Sequence, residues 1–301
     1  MKKYLSELMG TAALVLSFLC VPNAISAQYS NADSTWTMGG NVAAHLNQVQ
    51  KYNWSAGGDN LLGLNLQLAY SADYKENDHL WSNRLELEYG FNITDADGTR
   101  KSNDRIYLSS TYGYKLHDNL YFSGLLTYNT QFADGYKYGK DGAADQFIST
   151  LMAPGYLTIG TGLTWTPKTW FKASLTPVSY RGIFVLDDVL SDAGQFGVDP
   201  GKKVRTEFGA YMNMEVTKDI MKNVNLYSRV ALYSNYLEKA QNVDVNWDLR
   251  INMSINKWLS ASINTNLIYD DNIKTKNADG TTSGAKVQFQ EVLGFGLQFN
   301  I

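Results

Sequence analysis

Between Asn60 and Tyr74 every second residue is apolar: Leu62, Leu64, Leu66, Leu68, Tyr70, Ala72 and Tyr74, with Gly63, Asn65, Gln67, Ala69, Ser71 and Asp73 in the alternate slots. A two-residue period places the two sets on opposite faces of one strand. The period returns in about twelve segments, an even number of the kind single-chain bacterial barrels have. The apolar rows span 36–46, 62–74, 81–93, 106–116, 120–132, 157–165, 171–175, 204–216, 224–236, 243–255, 259–269 and 287–301. Pro177 should end or bend the seventh, because it has no N–H to give to a ladder. No segment carries the period of a long amphipathic helix. The pattern therefore predicts an all-β fold, a closed antiparallel transmembrane β-barrel of about twelve strands.

The connections add a second periodicity. Those at 75–78, 117–119, 167–168, 218–223 and 256–257 are short, whereas those at 49–59, 95–104, 133–154, 183–202 and 271–286 are long. The brief connection at 238–242 is the exception on the long-loop rim. Short periplasmic turns on one rim and longer extracellular loops on the other is the layout of outer-membrane barrels, with both termini in the periplasm. Aromatic residues cluster at strand ends. Tyr74, Trp81, Tyr114, Phe122, Trp165 and Phe171 flank the short turns, while Phe91, Tyr128, Phe132, Tyr236 and Tyr269 lie toward the loops. Two such girdles are expected at the two water interfaces.

The N-terminus sets the compartment. Lys2 and Lys3 precede an apolar run at 12–21 and a small-residue end at 24–27, which reads as a signal peptide of residues 1–27 cut before Gln28. Residues 28–301 then form a single barrel domain in the outer membrane of a Gram-negative envelope. Cys20 is the only cysteine and leaves with the signal, so neither a disulfide nor a thiolate metal site is expected. A net charge of −3 with both signs dispersed gives no reason to expect nucleic acid. The mean hydropathy of −0.28 suits a barrel, because only alternate strand residues meet lipid.

Several stretches resemble a family. They are Asn47-Gln48, Asn53-Trp54-Ser55-Ala56-Gly57-Gly58-Asp59-Asn60, Asp104-Arg105-Ile106-Tyr107-Leu108 and Tyr112-Gly113-Tyr114. Further on come Leu186-Asp187-Asp188, Leu190-Ser191-Asp192-Ala193-Gly194-Gln195-Phe196-Gly197-Val198 and Pro200-Gly201-Lys202-Lys203. Together they resemble the uncharacterised Bacteroidota-type barrels of domain-of-unknown-function family 3078 over nearly the whole mature chain. The resemblance implies an outer-membrane location, no assigned activity and no catalytic residues. The apolar, aromatic-rich end Phe299-Asn300-Ile301 resembles the C-terminal signal read by barrel-assembly machinery, although it closes on Ile301 rather than Phe.

The inward rows hold whatever chemistry there is. They are charged in two places: Arg84, Glu86, Glu88 and Arg105 on the third and fourth segments, and Arg205, Glu207, Glu215, Arg229, Asp244, Asp248 and Arg250 on the eighth to tenth. On a ring of about twelve strands the two groups fall on nearly opposite walls. Either they line a narrow aqueous pore whose field selects solutes by charge, or Arg84 with Glu86 and Arg250 with Asp248 pair locally and fill the lumen. Mixed signs on each wall favour pairing. Tyr52 and Trp54 could present an aromatic contact at the loop rim. The acidic loop Asp187, Asp188, Asp192 and Asp199 matches no dedicated calcium spacing and reads as solvated charge.

Histidines are sparse. His79 and His117 lie at short turns and His45 faces inward, none at a spacing that suggests a metal site or the base of a nucleophile. No cofactor and no metal are expected, and the chain is not expected to be an enzyme. The favoured function is a diffusion channel or small-solute transport protein that contacts outer-membrane lipid. The rivals are a non-conducting barrel that binds a partner through its loops and, with least support, an outer-membrane hydrolase.

Overall fold

The computed structural model describes residues 35–51, 60–139, 144–270, 274–276 and 282–301. In chain order the strands are β1 (Trp36–Val49), β2 (Leu61–Glu76), β3 (His79–Thr94), β4 (Gly98–His117), β5 (Leu120–Thr130), β6 (Gly135–Lys137), β7 (Gln146–Ser149), β8 (Gly155–Lys168) and β9 (Phe171–Phe184). A short helix α1 (Asp188–Asp192) follows, then β10 (Val204–Met221), β11 (Val224–Asn235), β12 (Asp244–Ser254), β13 (Leu259–Tyr269), β14 (Lys274–Lys276), β15 (Thr282–Ala285) and β16 (Gln288–Asn300). Twelve of these pair antiparallel in one ring, β1-β2-β3-β4-β5-β8-β9-β10-β11-β12-β13-β16, and β16 returns to β1. Each of the twelve alternating segments in the sequence is one strand of this ring.

Side chains sort by parity. Val42, Leu46, Leu66, Leu108, Phe122, Ile159, Leu163, Leu175, Phe208, Trp247 and Phe295 stand exposed on the outside. Ser109, Thr111, Ser123, Thr164, Ser174, Asn213 and Ser260 are buried within. That inversion, grease outside and polar groups inside, is the arrangement of a barrel that lipid surrounds. Aromatic pairs mark the short-turn rim, with Trp36 and Tyr74 rings 5.2 Å apart and Trp165 and Phe171 5.9 Å apart. Phe208 and Tyr236, 6.2 Å apart, mark the long-loop rim.

The short turns have a local cause. Asn77, Asn119 and Asn223 sit at positive φ (50°, 62° and 63°) in the β2–β3, β4–β5 and β10–β11 turns. Asn tolerates the left-handed region better than other non-glycine residues because its short amide bonds to nearby backbone.

Three details differ from the sequence pattern. The 95–104 connection is a three-residue turn rather than a long loop: β3 and β4 stay paired up to Thr94 and Gly98. Gly98 takes φ +67° there, and the Asp97 N–H donates to Thr94 Oγ1 at 3.0 Å. Pro177 bends β9 without ending it. Thr176 pairs with Tyr211 and Ser179 with Gly209, so one extra residue bulges. Ser179 Oγ stitches the bulge by donating to the Thr176 carbonyl at 2.9 Å. Finally, the described parts of the 133–154 connection and the 183–202 connection are built rather than open. β6 pairs with β7, and Ala153, Val185, Leu190 and Val198 form a small buried core with Phe147 and Phe196 against it.

Ring closure is partial. Asn41–Leu46 pair with Asn300–Phe295 and Gly40 exchanges two hydrogen bonds with Ile301. Above that point Asn47–Val49 pairs with β2 alone. Among the described residues, the long-loop half of β16 therefore has no ladder on its β1 side. Outward-facing Glu291, opposite Thr265, lies in this upper stretch, toward the rim and away from the middle of the apolar band. In hydrogen–deuterium exchange of the detergent-refolded barrel, residues 288–294 should exchange much faster than 295–300, since half their amides lack a partner strand. Equal protection across β16 would contradict the open seam.

Candidate functional site

The charged lumen residues do not stay on their own walls. Arg250 on β12 reaches across the ring to β3, 2.7 Å from Glu86 and 2.5 Å from Glu88. Arg105 on β4 returns the connection, donating to both oxygens of Asp248 on β12 at 3.0 and 3.2 Å. Arg229 on β11 binds Asp248 as well, and Asn266 donates to it at 2.7 Å. Arg84 pairs with Glu86 within β3 at 2.5 Å, as the sequence suggested. The expected Arg250–Asp248 pair is replaced by the cross-lumen contacts.

Four guanidinium groups thus face three carboxylates, and two tyrosine rings complete the cluster. Arg229 lies 3.9 Å over Tyr107 and Arg84 3.9 Å over Tyr227, geometry in which the ring face attracts the cation. Glu86 is fully buried and Arg229 and Asp248 nearly so. Alongside, Leu125, Tyr211 and Tyr233 meet in an apolar cluster. The middle of the lumen is filled by side chains. We call this layer the floor.

The remaining expected residues occupy other heights. Arg205 contacts Glu207 at 3.0 Å and Glu238 at 2.7 Å toward the loops. Asp244 accepts from Arg181 at 2.8 Å, and Glu207 lies 3.6 Å from the same guanidinium. Glu215 pairs with Lys172 at 3.3 Å. Arg181 is absent from the sequence-level candidates for a physical reason. Parity counted from Phe171 points it at lipid, and the Pro177 bulge inserts one residue, which swaps the faces. Lys172 keeps the inward parity and was legible. The tyrosines were legible too, since each alternates with an outward apolar residue, but a tyrosine inside a barrel carries no signal until its cation partner is known.

Above the floor lies a cavity of about 220 Å³ whose lining includes Glu88, Asn103, Asp104, Arg105, Asn129, Gln131, Tyr156, Asn246, Asp248, Arg250, Asn264, Asn266 and Gln290. It occupies the long-loop half of the barrel, which makes it a vestibule closed at its base by the ion pairs.

His45 is better partnered than its sequence context suggests. Its two ring nitrogens lie 3.3 Å from Ser260 Oγ and from Ser262 Oγ, two strands away across β16. Gly294 makes this possible, since a Cβ there would come within 2.8 Å of the imidazole. All three side chains are buried, so the contact locks a seam and offers no surface to substrate. In the acidic loop Asp187 caps α1 by accepting from the Leu190 N–H at 3.0 Å. The Lys203 ammonium, 2.7 Å from Asp188, holds that carboxyl below its ordinary pKa. Among the described residues no cluster of metal-ligating side chains occurs. Tyr52 and Trp54 lie outside the described residues.

A ring of twelve strands with an apolar exterior and a polar, filled interior is a β-barrel of the outer-membrane type. Residues 46–136 match the family described as "Protein of unknown function (DUF3078)". The match takes in the 47–60 and 104–114 motifs and stops before the 186–203 motifs. No curated protein matches the chain. Among solved structures, the translocator domain of the autotransporter NalP from Neisseria meningitidis is 9% identical with a TM-score of 0.38, covering 98% of this chain and 95% of its own. An outer membrane channel from Pseudomonas putida F1 is 12% identical with a TM-score of 0.37, covering 88% and 94%. The outer membrane channel DcaP of Acinetobacter baumannii is 9% identical with a TM-score of 0.27, covering 88% and 97%.

Breaking the floor from one side should be costly. Glu86→Gln leaves Arg84 without its carboxylate and Arg250 with Glu88 alone, and removing one member of a buried pair typically costs about 3–5 kcal/mol. The urea midpoint of the detergent-refolded barrel should fall clearly. A midpoint unchanged from wild type would mean that Glu86 is not the anchor of this layer.

Proposed function

We propose that the protein resides in the bacterial outer membrane, delivered by its N-terminal signal, and acts as a small-solute transport protein that is shut at rest. The observation that carries this is the Arg250–Glu86 contact of 2.7 Å between β12 and β3, which ties opposite walls at mid-lumen. The apolar exterior supports the membrane setting. An aqueous vestibule ending on a floor of side chains supports solute entry from the long-loop side. Side chains rearrange far more readily than a folded plug domain, so the same floor that blocks the lumen is the element that would have to move. Free diffusion through an open pore fits this interior less well. The reading assigns no catalysis, consistent with the burial of His45, Ser260 and Ser262.

Planar bilayers test it. Wild-type barrel should insert without steady current at low voltage. The double variant Glu86→Ala with Arg250→Ala removes a cation and an anion together, leaves net charge unchanged and should open a persistent conductance. Steady wild-type current would overturn resting closure. A double variant that stays silent although its heat-modifiable gel mobility shows it folded would overturn the Arg250–Glu86 contact as the element that shuts the lumen.

A further inference from the structure

We propose that the vestibule is a binding site for a neutral, hydroxyl-rich solute of about the size of one sugar ring. The inference rests on the reading above only in that the vestibule faces the outside medium. It starts from which lining groups are still available. The charges are not. Glu88 is held by Arg250 at 2.5 Å and by Asn103 at 2.8 Å, and Asp248 takes Arg105, Arg229 and Asn266. Asp104 accepts from Lys101 at 2.8 Å and from the N–H groups of Phe132 and Ala133 at 2.7 and 2.9 Å. A charged solute would have to break one of these buried pairs to be recognised, and would leave the displaced partner unsatisfied.

The amides, by contrast, are numerous and incompletely used. Asn129 on β5 and Asn264 on β13 line the cavity from opposite sides, and each amide keeps hydrogen-bonding capacity that no described residue takes up. Asn246 and Gln290 add further amides to the same wall, each with one polar atom already engaged, by Asn266 and by the Ser102 carbonyl. A carboxamide offers donors and an acceptor side by side, and so does each hydroxyl of a sugar, so a neutral polyol can satisfy both at once. Tyr156 contributes an aromatic surface to the same cavity, a usual companion of polar groups in small-molecule sites. A cavity of about 220 Å³ has room for a single ring or a short polyol.

The test uses refolded full-length barrel in detergent and three probes of one ring size: glucose, the anion glucuronate and the cation glucosamine. Saturation-transfer NMR and calorimetry read binding, and galactose, mannose and inositol extend the neutral set. Neutral probes should bind, and both charged analogues should bind at least tenfold more weakly. Asn129→Ala and Asn264→Ala should each weaken neutral binding about three- to tenfold, the loss of one hydrogen bond, while the urea midpoint shows the barrel intact. Asn65→Ala, at an inward position outside the vestibule, should leave binding unchanged. The proposal fails if no neutral probe binds at solute concentrations of a few hundred times the protein's. It also fails if glucuronate or glucosamine binds as well as glucose, or if neither vestibule variant changes the affinity. Because binding is read in solution, a vestibule that binds sugar in a barrel that never conducts would refute the transport reading alone, and the reverse result would refute only the site.

Discussion

Two walls of this barrel cannot move apart without leaving charge unpaired in a place that holds little water. Arg250 leans from β12 to Glu86 and Glu88 on β3, and Arg105 leans from β4 to Asp248 on β12. Coulomb attraction in a low-dielectric interior is strong, but so is the cost of stripping water from each ion, and only dense mutual pairing makes the balance favourable. Here each carboxylate meets at least one guanidinium, and the fourth arginine's excess charge is spread over tyrosine faces. The cross-section of the lumen follows from those reaches. So does its closure, because Leu125, Tyr211 and Tyr233 complete the layer.

That floor divides the interior by height. Below it the lumen holds the Lys172–Glu215 pair and a wall of buried serines and threonines that bond to one another, such as Ser123, Thr164 and Ser174 at 2.7 and 2.8 Å. Above it the character changes to amides around open space. The rim then carries the Arg181 and Arg205 clusters and the small apolar core shared by the two long loops. Solid base, neutral chamber and structured mouth form a sequence suited to receiving a solute from one side. The partial seam between β1 and β16 adds a weak line at the same height as the chamber.

Much of this could be read from the chain. Alternation located every barrel strand, because lipid and lumen demand opposite chemistry on successive residues. Asn at the short turns and aromatics at the strand ends were equally visible, since both answer to local backbone geometry or to the interface. Arg181 was not, because one bulged residue at Pro177 reverses parity for the rest of β9. The turn at Asp95–Asp97 was hidden for another reason: the β4 arm that leaves it, 98–103, is polar on both faces, and no apolar row marks it as strand.

The sequence by itself therefore determined the fold class, the side to which most residues point and the identity of most charged lumen groups, since these depend on periods of two and on residue type. Tertiary structure alone decided which charges meet across the lumen. A pairing between residues 164 positions apart, as Arg250 and Glu86 are, depends on ring closure, strand stagger and side-chain reach across the lumen, none of which leaves a local pattern. The same geometry satisfied the charges of the chamber above and left two of its amides unsatisfied.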